Sequence, residues 1–128
     1  MGTGTGIGRV RGLGSAKSGT HHWWMQRLTA GGNILLLLWF VVSLLRLPSF
    51  DHKMVVQWIH SPLVAVPLLL IVANTFWHFR LGLQVVIEDY QHNESRVVAL
   101  VLLNFYTVAA AVLAAFAILK IAFGGVAA

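Results

Sequence analysis

The chain has 128 residues, 58% of them hydrophobic and only 10% charged. A soluble domain carries about a quarter charged residues, so this composition reads as a membrane protein. There is no cysteine, which excludes disulfides, thiolate chemistry and cysteine-bound iron–sulfur clusters on this chain, and the net charge of +5 is assigned to topology and lipid-headgroup contact rather than to nucleic acid.

Residues 1–27 read as an N-terminal arm and interfacial anchor. Residues 1–20 are rich in Gly, Ser and Thr, basic, and without an apolar period. Gly4-Thr-Gly6-Ile-Gly8 has neither the preceding strand nor the spacing of a dinucleotide loop, and Gly12 to Ser18 misses the P-loop because Ala16 stands at its second glycine. No secretory signal is expected either, because Arg9, Arg11 and Lys17 lead into further polar sequence and no apolar core begins before Leu28. Trp23 and Trp24 suit an aromatic anchor at the membrane surface. Arg27 beside them reads as a topology charge or as a cation serving a ligand's polar group; its flanking position favours the first.

Three uncharged runs follow. Leu28 to Leu45 is 18 residues long, about 27 Å as a helix and just enough to cross the hydrocarbon. Its Gly31 and Gly32 permit close helix approach, and Asn33 should face protein rather than lipid. After a polar turn at Pro48 to Lys53, Met54 to Phe79 gives 26 uncharged residues, with Pro62 suited to a first helical turn and Pro67 to a kink. Glu88 to Arg96 is expected to turn the chain. Val97 to Leu119 is the third run, 23 residues with an alanine-rich face. The prediction is an all-α membrane protein with a transmembrane domain over 28–123 and three transmembrane helices at about 28–47, 57–86 and 97–120, forming part of a heteromeric helix bundle. Three spans without an internal acidic residue are few for a transport pathway. Six basic residues, Arg9, Arg11, Lys17, Arg27, Arg80 and Arg96, fall on the N-terminal side against Arg46, Lys53 and Lys120 on the other, which predicts a cytoplasmic N-terminus.

The candidate site lies in the second span. Of six histidines, His21, His22 and His92 are expected at the cytoplasmic interface, His52 in the outer loop, and His60 at the outer end of the second span. His78 alone is expected at depth, where an unpartnered imidazole is costly. Asn74, His78 and Gly82 recur every fourth residue and share one face. A histidine with a glycine one turn away suits a flat, bulky ligand, and a haem with iron on the imidazole is the simplest one. One histidine leaves the sixth iron position open or supplied by another subunit. Tyr90, twelve residues on, carries a phenol able to donate to a carbonyl oxygen, with Asp89 next to it; an interfacial tyrosine beside a solvated carboxylate is the alternative, and position alone favours it.

His78-x-x-x-Gly82 followed by Asp89-Tyr90, with Gly12-Leu-Gly-Ser-Ala-Lys-Ser-Gly19 and His21-His22-Trp23-Trp24-Met25-Gln26-Arg27-Leu28-Thr29-Ala30 upstream, resembles the succinate dehydrogenase hydrophobic membrane anchor subunit, the SdhD-type chain of respiratory complex II, in its alphaproteobacterial form. The resemblance covers nearly the whole chain. It implies that His78 is an axial ligand of haem b shared with a cytochrome b556 partner subunit, that Tyr90 with Asp89 binds ubiquinone, and that Arg27 lies near the haem propionates. It also implies docking of the iron–sulfur subunit and the flavoprotein subunit on the cytoplasmic face of a bacterial inner membrane, with succinate oxidation on those other subunits. Arg80 departs from relatives that carry an apolar residue there, and is expected to pair with a propionate or with Glu88. The rival readings are a fumarate reductase or other b-type cytochrome anchor and, in another class, a haem-free packing or assembly subunit or small transporter.

Overall fold

The computed structural model describes residues 5–7 and 18–124; Gly4, Gly8, Arg9, Arg11 and the stretch from Gly12 to Lys17 lie outside them. The described chain folds into four helices: α1 (Gly19–Leu45), α2 (His52–His60), α3 (Pro62–Tyr90) and α4 (Asn93–Phe123). Three of them, α1, α3 and α4, are long and apolar enough to cross a membrane. At 27, 29 and 31 residues they measure about 40 to 46 Å, more than a hydrocarbon core of about 30 Å, so their ends reach the headgroup layers.

Helix α1 begins at Gly19 rather than near 28, so the aromatic anchor is part of the first membrane helix. Two further boundaries differ from the sequence expectation, each for a local reason. The second apolar run is not one helix. Ser61 has an extended backbone (φ −69°, ψ 127°), the conformation that a following proline imposes, and Pro62 occupies the first helical position where its missing N–H is harmless. Residues 52–60 therefore form a separate short helix, and the membrane helix begins at Pro62 rather than near 57. Along α2, His52, Lys53, Gln57 and His60 are exposed while Met54, Val55, Val56, Trp58 and Ile59 are half-buried. That pattern belongs to a helix lying at an interface. Its Trp58 Nε1 donates to Ser43 Oγ at 3.1 Å, and its ring meets Phe40, tying α2 to the end of α1. His60 thus closes α2 rather than sitting in the second span.

The second difference is at the charged turn. Glu88, Asp89 and Tyr90 complete the last turn of α3, and only Gln91 and His92 separate it from α4. So tight a connection needs one residue in the left-handed region, and Asn93 takes it with φ 56°, a conformation asparagine tolerates better than most.

Helix α3 is the middle of the molecule. It packs against α1 on one side and α4 on the other, while α1 and α4 make no backbone approach to each other among the described residues. The core is correspondingly thin: Ala65, Leu68, Leu81 and Leu103 are the buried apolar residues, joined by the threonines Thr29 and Thr107. Polar ties replace the core. On the α4 side, Arg80 Nε donates to Asn104 Oδ1, Asn104 Nδ2 donates to Leu100 O, and Phe79 meets Tyr106. The α1 side carries the candidate site.

Candidate functional site: a polar seam between the first and third helices

On α1, His22, Gln26, Thr29 and Asn33 follow the i, i+4, i+7, i+11 spacing that keeps residues on one helical face. On α3, Asn74, His78 and Gly82 do the same. The two stripes meet in antiparallel register. Asn74 Nδ2 donates to Asn33 Oδ1 and to the carbonyl oxygen of Thr29, both at 2.8 Å, and Thr75 Oγ1 donates to Asn33 Oδ1 at 3.1 Å. Asn33 therefore faces protein, as its cost in lipid requires. Gly32 is what lets Asn74 come so close, since a Cβ there would stand 3.0 Å from Asn74 Nδ2. Gly31 has no such role within the chain, with nothing within 4 Å of its Cβ position.

One turn further on, His78 Nδ1 lies 2.9 Å from Thr29 Oγ1 in a hydrogen bond. Thr29 is only 4% exposed, and its hydroxyl also reaches back to the carbonyl oxygens of Met25 (2.7 Å) and Gln26 (3.1 Å) in its own helix. Back-bonding of this kind is the usual outlet for a threonine inside a helix. One further turn on, Gly82 faces Gln26; a Cβ added there would meet only Gln26 Nε2, at 3.6 Å.

Beside the seam runs a groove of about 530 Å³ lined by His22, Trp23, Gln26, Arg27, His78 and Val85, among others. That is within the usual size range of cofactor sites, about 300 to 1,000 Å³. His22 Nε2 and Gln26 Oε1 are shielded there without a hydrogen-bond partner. Arg27 holds its guanidinium 4.2 Å from the Trp23 ring centroid, a cation–π contact at the groove wall.

The structure brings His78, Gly82 and Arg27 to one side of α3. It does not bring the other candidates there. Arg80 lies two residues past His78, about 200° around the helix, where it engages Asn104 and stands 5.3 Å from the Trp77 ring centroid. Glu88, its other expected partner, instead accepts from Gln84 Nε2 at 2.9 Å. Tyr90 is 78% exposed and Asp89 is exposed beside it, at the end of α3 about 18 Å along the axis from His78. Thr29, Gln26 and His22 were not singled out in sequence as site residues. Their signal was the polar i, i+4, i+7, i+11 stripe running from the aromatic belt into the first apolar run.

These features define a class: a three-pass helical membrane protein whose polar seam offers an imidazole to a groove. Comparison with known proteins narrows the class. Residues 1–119 match the family described as "Succinate dehydrogenase/Fumarate reductase transmembrane subunit", and the chain belongs to that family. It is similar to the succinate dehydrogenase hydrophobic membrane anchor subunits of Rickettsia bellii (35% identical over 114 residues, 86% of this chain and 91% of the relative), Rickettsia conorii (38% over 85 residues, 66% and 68%) and Rickettsia felis (34% over 103 residues, 77% and 86%). No solved structure matches the chain significantly.

Proposed function

We propose that this chain anchors a succinate:ubiquinone oxidoreductase in the inner membrane, supplies one axial ligand of haem b, and contributes to the site where quinone is reduced. The observation that carries the reading is His78: an imidazole inside a membrane helix, its Nδ1 already bonded to Thr29 at 2.9 Å, lining a groove with Arg27. An imidazole held by one nitrogen is a preformed ligand through the other. The groove fits the group on two further counts. Gly82, one turn from His78, leaves Gln26 room to line the groove, since only Gln26 Nε2, at 3.6 Å, stands near its Cβ position. Arg27 brings a cation for propionate charge.

The residues divide the work by depth. His78 would hold the macrocycle and Arg27 would offset its acidic edge. A haem held there supplies a one-electron acceptor within the membrane. Near the end of α3, the Tyr90 phenol donates a hydrogen bond to a quinone carbonyl and orients the ring, and the adjacent exposed Asp89 carboxylate passes protons from water to the reduced oxygen. The exposed Tyr90 turn faces the cytoplasm, where the iron–sulfur and flavoprotein subunits dock; succinate oxidation belongs to them. The second imidazole comes from a cytochrome b556 partner subunit.

The optical spectrum of the purified complex tests the reading. His78→Ala should abolish the haem b absorbance while the soluble subunits remain attached. Full haem absorbance in that variant would remove His78 from the site.

A further inference from the structure

We infer that Thr29 is a positioning residue for the iron ligand: it accepts the Nδ1 proton of His78, and so selects the ring tautomer, fixes the ring plane and biases the iron toward its oxidised state. The inference rests on the reading of His78 as a ligand and extends it to the hydrogen-bonding partner behind the ring.

Proton counting assigns the direction of the bond. A threonine hydroxyl has one proton and can accept twice. Two backbone carbonyl oxygens, of Met25 at 2.7 Å and Gln26 at 3.1 Å, surround Thr29 Oγ1, and neither can donate. The hydroxyl proton is spent on them. Were it turned to His78 instead, Oγ1 would face the Met25 oxygen at 2.7 Å with no proton between them. Oγ1 therefore accepts from His78 Nδ1 at 2.9 Å, Nδ1 carries the proton, and the lone pair is left on Nε2. That is the tautomer a metal requires.

The geometry is also held from behind. Asn74 Nδ2 donates to the Thr29 carbonyl oxygen and to Asn33, so the peptide that carries Thr29 is clamped by the same helix that carries His78, one turn away. Thr29 is 4% exposed, so water does not substitute for it. An imidazole that donates from Nδ1 is a stronger electron donor at Nε2, which favours ferric over ferrous iron.

The test uses the intact complex with Thr29→Val and Thr29→Ser, read by redox titration of the haem absorbance and by haem content. Valine keeps the shape and removes the acceptor; serine keeps the acceptor and loses a methyl group. At the ambient potential that half-reduces the wild-type haem, Thr29→Val should raise the reduced-to-oxidised ratio about tenfold, a one-electron shift of about +59 mV, or lose haem outright. Thr29→Ser should stay within about twofold of wild type. A packing role gives the reverse order, with valine harmless and serine impaired. Any result in which serine is not closer to wild type than valine overturns the inference. His78→Ala in the same series separates the two claims. If it retains haem, the ligand reading fails. If it loses haem while Thr29→Val titrates as wild type, only the role of Thr29 fails.

Discussion

At the scale of single residues, the proposed function keeps two chemistries apart along one helix. His78 is half-buried and bonded to α1 through Thr29, whereas Tyr90, twelve residues on, stands 78% exposed at the helix end. A ligand for a buried group needs the first environment, and a contact for a substrate that enters and leaves needs the second. Replacing Tyr90 by Phe removes one donor and little else. A single hydrogen bond of about 1 kcal/mol corresponds to about a fivefold loss in quinone reduction, with dye reduction by the attached soluble subunits unchanged. If steady-state assays find both rates at wild-type values, Tyr90 is not at the quinone. His78 was legible in sequence because an imidazole is conspicuous within an apolar run. Thr29 was not, since a threonine near a membrane surface has many uses and only its partner 49 residues away singles it out. Arg80 was legible as an oddity in charge, but its neighbour Asn104 lies on a helix that sequence spacing alone does not bring beside it.

At the scale of helices, small residues and amides decide which surfaces meet. The α1–α3 interface has no hydrophobic driving force in lipid, so close approach at Gly32 and the bonds of Asn33 and Asn74 have to hold it. Gly32→Ala brings a Cβ to 3.0 Å from Asn74 Nδ2 and should displace that side chain. The expected cost is about 1 kcal/mol, in line with two interhelical hydrogen bonds in a membrane. In an Asn74→Ala background the same substitution should cost almost nothing, because the obstruction is gone. Thermal dissociation of the detergent-solubilised complex measures both; equal costs in the two backgrounds would mean that Gly32 packs against something other than Asn74. The three apolar runs announced three membrane helices, and fourfold spacing announced the stripe of Asn74, His78 and Gly82. The break at Ser61 was hidden because the sequence stays apolar through it, and Pro62 starts a helix as readily as it interrupts one. The expected turn over Glu88 to Arg96 shrank to two residues because one left-handed asparagine reverses the chain.

At the scale of the molecule, the arrangement is a row rather than a closed bundle. With α3 between α1 and α4, and four buried apolar residues among the described residues, large side chains such as Leu35, Phe105 and Phe116 face outward along the spans. Lipid covers such faces, and so do the helices of neighbouring subunits. The seam offers one imidazole at the depth of Thr29, and His22, the other histidine lining the groove, lies seven residues up α1, about 10 Å along the axis. The chain expressed without its partners should therefore give no stable six-coordinate haem by electron paramagnetic resonance; a clean bis-histidine signal from it alone would contradict a shared haem. The most direct test of the ligand assignment is a density map of the intact complex at a resolution that fixes ring orientation. His78 should point Nε2 at the haem iron within bonding distance, with Nδ1 on Thr29 and the macrocycle in the groove beside Arg27. A ring that turns Nε2 toward lipid, or bonds it to a neighbouring helix with the haem elsewhere, would contradict it.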